Sequence, residues 1–151
     1  MKKNQLISSA VERFYNKASE EARLSKGMGV FEFERICELI GLYVPNTSVI
    51  VDVGGGTGRY AEWLSNTGHK VYLVEPVDKH LKIARDRSKR MRNKFEVIKG
   101  AASQLPFRDL FADIVILHGP LYHLQRYEDR LAAICEARRI LKKGGVLLGF
   151  G

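Results

Sequence analysis

The chain has 151 residues, 45% of them hydrophobic and 28% charged, and carries a net charge of +8 at pH 7. This length predicts one domain, and the composition supports a packed core and excludes global disorder. No apolar run reaches the roughly 18 residues of a membrane span, and no apolar stretch follows Lys2 and Lys3 as it would in a secretory signal. We therefore expect a cytoplasmic protein without a membrane partner.

Residues 1–46 show the periodicity of helices. Two apolar stripes recur at three- and four-residue spacing on either side of the turn-forming glycines 27 and 29. This pattern predicts an N-terminal helical cap. The stripes consist of Val11, Phe14, Tyr15, Ala18 and Ala22, and of Phe33, Ile36, Cys37 and Ile40.

From residue 47 strands alternate with helices, which predicts right-handed crossovers and a parallel sheet. The strands are nearly continuous apolar runs, as expected when helices cover both faces. We expect strands at 49–53, 70–74, 95–98, 113–117 and 146–150. We expect one helix at 57–66, a second that begins after Asp78 and is capped by it, and a third at 127–141. The last helix is expected to bury Leu131, Ile134, Cys135 and Leu141. Cys37 and Cys135 are interpreted as buried free thiols, since neither has metal-ligand spacing.

Much of the positive charge lies in residues 85–94. Leu81, Ala84, Ser88 and Met91 form one helical stripe there, so the charges fall on the other faces. No aromatic residue interleaves them as a base-stacking platform requires. We interpret this segment as a solvated helix face, and a nucleic-acid partner stays the less favoured alternative.

The most informative segment is DVGGGTG at 52–58, which leaves the first strand and opens a helix. Glycines let a backbone turn tightly and approach a ligand, here beside strand ends and a helix N-terminus. The dinucleotide fingerprint requires a glycine at position 59, which is Arg59, and a P-loop ending is absent. With Asp52 before the loop, the pattern favours a ligand with cationic groups and disfavours a nicotinamide dehydrogenase.

A second carboxylate, Glu75, ends the second strand about 20 residues after the loop and precedes Pro76. A carboxylate at this place can accept hydrogen bonds from both hydroxyls of a ribose. The sequence therefore predicts a nucleoside-containing ligand.

Together these segments resemble the class I S-adenosylmethionine-dependent methyltransferases over about residues 48–151. GPLYHL at 119–124 and the cap resemble a group of uncharacterised bacterial and archaeal members. The matching segments are DVGGGTG at 52–58, Glu75 with Pro76, GAASQLPF at 100–107, ADIV at 112–115 and RILKKGGVL at 139–147.

The resemblance implies an α/β fold: a Rossmann-like, doubly wound parallel sheet of order 3-2-1-4-5 over residues 47–151, with the helical cap over 1–46. It implies S-adenosylmethionine as cofactor. Asp52 would face its amino-acid end, Gly54, Gly56 and Gly58 would make room for its methionine and ribose parts, Glu75 and Pro76 would hold the ribose, and Ala102 and Gln104 would flank the adenine. The chain departs from the family at Ala101, which replaces an Asp, and at His118, which replaces an aliphatic residue.

Three side chains after the fourth strand, His118, Tyr122 and His123, are the catalytic candidates, because the acceptor would lie there and a histidine suits a general base. Packing within the loop is the alternative for Tyr122 and His123. Tyr15 and Arg23 of the cap could close over the cofactor. We expect no metal and a small-molecule acceptor, with a noncatalytic cofactor-binding fragment acting through a partner or an RNA-modifying methyltransferase as alternatives.

The family's sheet continues with two strands beyond the fifth. We therefore expect a domain that is incomplete at its C-terminus, with those two strands absent. The apolar fifth strand would then be an unprotected edge through which two copies could associate.

Overall fold

The structure is a computed structural model that describes residues 27–150 together with Arg13. None of the helices in that part of the chain is long and apolar enough to cross a membrane. The elements are α1 (Met28–Gly41), β1 (Val49–Val53), α2 (Arg59–Asn66), β2 (Lys70–Glu75), α3 (Asp78–Lys89), β3 (Glu96–Lys99), β4 (Ala112–His118), α4 (Pro120–His123), α5 (Tyr127–Ile140) and β5 (Leu141–Phe150). The first predicted apolar stripe lies outside the described residues.

The five strands form one parallel sheet of order β3-β2-β1-β4-β5, which confirms the predicted fold class. Successive side chains of a strand point to opposite faces, and both faces of the central strands are buried. One face packs on α1, α2 and α3, and the other packs on α5. Core residues of the first face include Ile40, Ile50, Leu64, Leu73, Ala84 and Ile114, and those of the second include Val51, Val74, Val115, Ala137 and Ile140.

The buried face of α5 differs from the prediction. Leu131 and Ile134 are 45% and 41% exposed, and Cys135 is exposed. The helix instead buries the stripe Ala133, Ala137 and Ile140, because small residues let a helix lie close to a sheet. The prediction of a buried Cys135 is therefore wrong, and Cys37 is only half-buried.

Several boundaries also differ from the prediction, most of them by one or two residues, and those of β5 and α3 bear on the fold. Strand β5 begins at Leu141, directly after α5, and residues 142–145 leave the ladder, since Ala112 pairs with Leu141 whereas Ile114 pairs with Val146. Asp78 is the first residue of α3 rather than its cap, and its Oδ1 lies 2.6 Å from Lys99 Nζ.

Strand β5 lies at the edge of the sheet and pairs with β4 alone among the described strands. Pairing of a second copy along this edge stays a prediction.

The close packing of α2 on its neighbours depends on Gly58. We expect Gly58→Ala to lower the free energy of unfolding by more than Gly68→Ala does. Both glycines have positive φ, +87° and +95°, but a Cβ at Gly58 would lie 2.8 Å from Phe95 Cζ whereas Gly68 has nothing within 4 Å. The backbone strain at positive φ should cost each variant about 1 kcal/mol. The clash with Phe95 should cost the Gly58→Ala variant a further ~1–3 kcal/mol.

Urea denaturation of both variants measures this difference. Equal losses would show that Phe95 moves aside without cost.

Candidate functional site

A cleft of about 340 Å³ opens at the carboxyl edge of the sheet. Strand order reverses here, because β1 lies between β2 and β4, and ligands of open α/β sheets bind at such switch points. The volume lies within the range of about 300–1,000 Å³ of small-molecule sites. Its walls come from the segments 53–57, 59–60, 74–77, 100–103, 118–120 and 122–124, with Phe150, His80, Glu32 and Ile36.

The three glycines predicted to make room for the ligand have separate roles. Gly56 has φ +58°, and an added Cβ would meet nothing within 4 Å, so its backbone faces the open cleft. Gly54 also lines the cleft, but a Cβ there would lie 2.7 Å from the carbonyl oxygen of His118 and from Pro120 Cδ. Gly54 therefore lets the ends of β1 and β4 approach each other. Gly58 is not among the lining residues and serves the packing of α2.

Glu75 ends β2 inside the cleft wall and is only 4% exposed. Its Oε2 accepts a hydrogen bond from the backbone N–H of Gly56 at 3.1 Å, and its Oε1 accepts one from that of Val77 at 3.0 Å. The carboxylate thus ties the glycine loop to the start of α3. Pro76, also predicted as a site residue, lines the cleft beside it.

Asp52 lies behind the glycine loop rather than on the cleft surface. It is completely buried, and its carboxylate accepts no hydrogen bond from the described residues. A Cβ on Gly55 would lie 2.5 Å from Asp52 Oδ2, so only a glycine fits above it. Burial, and then the negative charge of Glu75, raise the pKa of Asp52 to about 7.

On the predicted adenine side, Ala102 lines the cleft, together with Ala101 and Ser103, whereas Gln104 is exposed and does not. Arg139 of α5 holds the following segment. Its guanidinium donates to the carbonyl oxygens of Leu105 at 3.0 Å and of Phe107 at 2.8 Å. Sequence reasoning missed this brace, because Arg139 lies 34 residues from Leu105 and 32 residues from Phe107 in the chain.

On the predicted acceptor side, His118, Tyr122 and His123 all line the cleft, so the structure brings the three candidates together. The ring of His118 packs against those of Tyr60 and Phe150, with centroid distances of 4.1 and 5.1 Å. Tyr122 is 64% exposed and lies at the mouth.

Sequence reasoning missed Tyr60 and Phe150. Their apolar periodicity indicates only packing, and no local signal marks them as site residues. Tyr15 and Arg23, the predicted cap contacts, lie outside the described residues.

Comparisons with known proteins point to one family. Residues 51–149 match the family model described as a methyltransferase domain. The chain is 31% identical over 113 residues to a demethylmenaquinone methyltransferase of Tropheryma whipplei, a match that covers 74% of this chain and 44% of that protein. It is 32% identical over 107 residues to the tRNA (carboxymethyluridine(34)-5-O)-methyltransferase of Arabidopsis thaliana, a match that covers 70% of this chain and 24% of that protein.

Among solved structures, that of a SAM-dependent methyltransferase of Thermotoga maritima is 33% identical with a TM-score of 0.66. It covers 91% of this chain and 58% of that one. The chain thus spans less than half the length of the two curated relatives.

The buried Asp52 should make stability depend on pH. Its pKa is 3.8 ordinarily and about 7 in the folded chain, so between these values the folded state binds more protons than the unfolded state. The free energy of unfolding should therefore fall as pH rises through this window, by about 4 kcal/mol in all. Asp52→Asn should abolish this component, as measured by urea denaturation at pH 4 to 8.

Asp113→Asn is the control, because Asp113 should change the free energy of unfolding with pH in the opposite direction. Hydrogen bonds from Lys142 and from the Val49 N–H lower the pKa of Asp113, so its contribution is lost as pH falls. If the stability of the Asp52→Asn variant follows the wild-type pH profile, the assignment to Asp52 is wrong.

Proposed function

This chain belongs to the methyltransferase domain family, and from that premise we propose that it transfers a methyl group from S-adenosylmethionine to a small-molecule acceptor. The observation that carries the proposal is the buried Glu75 carboxylate, hydrogen-bonded to the N–H of Gly56 in the wall of the cleft. When bound, S-adenosylmethionine supplies a methyl group activated by its sulfonium.

The residues present fit this cofactor. Glu75 would accept from its ribose, and the open backbone at Gly56 leaves room beside that carboxylate. Asp52 has a buried carboxylate that lacks a hydrogen bond from the described residues, and a cationic ligand nearby would favour its ionised form. Ala101 and Ala102 would contact the adenine through backbone and packing.

His118 is the residue we assign to the acceptor. Methyl transfer is an in-line displacement, so the protein contributes mainly by positioning the two reactants. An acceptor hydroxyl or amine must also lose its proton, and the imidazole of His118 would take it. The rings of Tyr60 and Phe150 both pack against that ring, and Tyr122 and His123 also line the cleft.

An RNA acceptor is the second candidate, supported by the similarity to the Arabidopsis enzyme, whose name specifies tRNA. Helix α3 exposes Lys82, Arg85 and Lys89. Arg87, however, turns inward and donates to the Thr57 carbonyl oxygen at 3.0 Å. A noncatalytic cofactor-binding fragment that acts through a partner is a third candidate, and the detection of methyl transfer would exclude it.

We expect the chain to bind S-adenosylmethionine and S-adenosylhomocysteine in preference to NAD. Glu75→Gln should weaken S-adenosylhomocysteine binding by about 1–3 kcal/mol, the cost of losing charged hydrogen bonds. Glu96→Gln, at the exposed start of β3, should leave the affinity unchanged. Titration calorimetry measures the affinities of the wild type and of the two variants. Tighter binding of NAD than of S-adenosylhomocysteine, or an unchanged affinity of the Glu75→Gln variant for S-adenosylhomocysteine, would refute the proposal.

The basic face of α3 should bind RNA without sequence preference, and the affinity should fall steeply with salt, because counterion release dominates such binding. Reversing two exposed charges, Lys82→Glu with Arg85→Glu, should abolish it. Fluorescence anisotropy with unrelated RNAs at several salt concentrations tests this expectation. Tight, sequence-selective binding at physiological salt would instead promote the RNA candidate.

A further inference from the structure

A single guanidinium lines the cleft without an anionic partner in the part of the chain that the structure describes. Arg59, the first residue of α2, is the only arginine or lysine among the described lining residues. It is partly exposed, and it forms no ion pair or side-chain hydrogen bond with a described residue. Its Nη1 is buried, so Nε and Nη2 are the nitrogens left open to the cleft. Because unsatisfied N–H donors of a charged group are costly when water is excluded, this side chain suits an anionic ligand.

The guanidinium lies on the acceptor side of the cleft. Its Cζ is 4.7 Å from the centroid of the Phe33 ring of α1. That ring packs against Tyr60 with a centroid distance of 4.8 Å, and Tyr60 packs against His118 at 4.1 Å. A cation–π contact helps to fix a guanidinium, but the ring has no oxygen or nitrogen that accepts its N–H groups. A row of rings therefore links Arg59 to the residue that we assign to the acceptor.

The carboxylates in the cleft wall leave the charge of Arg59 unpaired. Glu75 accepts hydrogen bonds from two backbone N–H groups on the opposite side of the glycine loop. Glu32 lines the cleft and is exposed, and it forms no ion pair with Arg59. Residues 27–150 thus supply no anion for this guanidinium, whereas a ligand in the cleft can supply one.

We propose that Arg59 selects the methyl acceptor by binding its carboxylate, and that this acceptor is a planar aromatic acid. The carboxylate accepts two parallel hydrogen bonds from Nε and Nη2, the arrangement in which a guanidinium matches a carboxylate. The aromatic part packs on the cleft-lining rings of Tyr60, His118 and Phe150, because offset and edge-to-face ring pairs are favourable. This inference rests on the proposed function, since it concerns the acceptor of the same cleft.

The methionine part of S-adenosylmethionine also carries a carboxylate, so the experiment separates the two sources. 5′-Methylthioadenosine keeps the nucleoside and the thioether sulfur of S-adenosylhomocysteine but lacks its carboxylate. If Arg59 bound the carboxylate of the cofactor, Arg59→Gln would weaken the binding of S-adenosylhomocysteine and leave that of 5′-methylthioadenosine unchanged. If Arg59 binds the acceptor, neither affinity should change.

Calorimetry then measures how the protein saturated with S-adenosylhomocysteine binds three probes. They are 4-hydroxyphenylacetate, the neutral 4-hydroxyphenylacetamide and the saturated acid (4-hydroxycyclohexyl)acetate. The proteins are the wild type and the variants Arg59→Gln and Arg59→Lys. Arg35→Gln is the matched control, since Arg35 lies on α1, pairs with Glu38 at 2.9 Å and does not line the cleft. Thermal unfolding of each ligand-free protein reports on its fold.

We expect the wild type to bind 4-hydroxyphenylacetate at least about tenfold more tightly than the amide, the scale of one hydrogen bond to a charged group. It should bind the saturated acid several-fold more weakly than the aromatic acid. Arg59→Gln should lose about tenfold for both acids and little for the amide. Arg59→Lys should keep part of the preference, because the charge remains without the planar fork, and Arg35→Gln should bind as the wild type does.

A wild type that binds S-adenosylhomocysteine but does not prefer the acid to the amide, or the aromatic acid to the saturated one, would overturn this inference alone. These comparisons decide the matter even if Arg59→Gln does not fold. A loss of S-adenosylhomocysteine binding by Arg59→Gln, with 5′-methylthioadenosine unaffected, would assign Arg59 to the cofactor and would also overturn it. Failure of the wild type to bind S-adenosylhomocysteine would refute the proposed function as well.

Discussion

Two buried carboxylates share the carboxyl edge of the sheet, and the arrangement of the cleft depends on how each is accommodated. Parallel strands that are neighbours end at the same edge, so Asp52 of β1 and Glu75 of β2 are brought together away from water. Glu75 accepts hydrogen bonds from two backbone N–H groups, those of Gly56 and Val77. Asp52 lacks such donors among the described residues, and its burial, followed by the negative charge of Glu75, raises its pKa.

The glycine loop follows from this arrangement. It passes directly over Asp52, where only Gly55 fits, and under the β4–α4 connection, where only Gly54 fits. The same loop therefore contacts the carboxylates on one side and the segment that carries His118 on the other. Because β1 is the central strand between β2 and β4, the proposed cofactor and acceptor subsites share one rigid wall, which suits a reaction that relies on positioning.

Much of the fold was predictable because its signals are local. Strand boundaries, the glycine loop and the turn at Glu75 were read from neighbouring residues, and the strand order came from the resemblance. The wrong buried face of α5 has a physical cause. Because Leu131 and Ile134 are large and apolar, the face of α5 that carries them was predicted to be buried. The space beside the sheet instead admits the face that carries Ala133 and Ala137. Available space is a property of the packed layers, which periodicity does not report.

The sequence by itself determined the α/β class, the place of the glycine loop and the two strand-end carboxylates, since backbone freedom and strand periodicity are encoded within a few residues. Only the tertiary structure decided which groups meet. It placed His80 beside Glu75 and packed His118 against Tyr60 and Phe150. It also left Asp52 buried beside a like charge. These contacts join segments brought together by strand pairing, and burial and charge proximity exist only once the chain has folded.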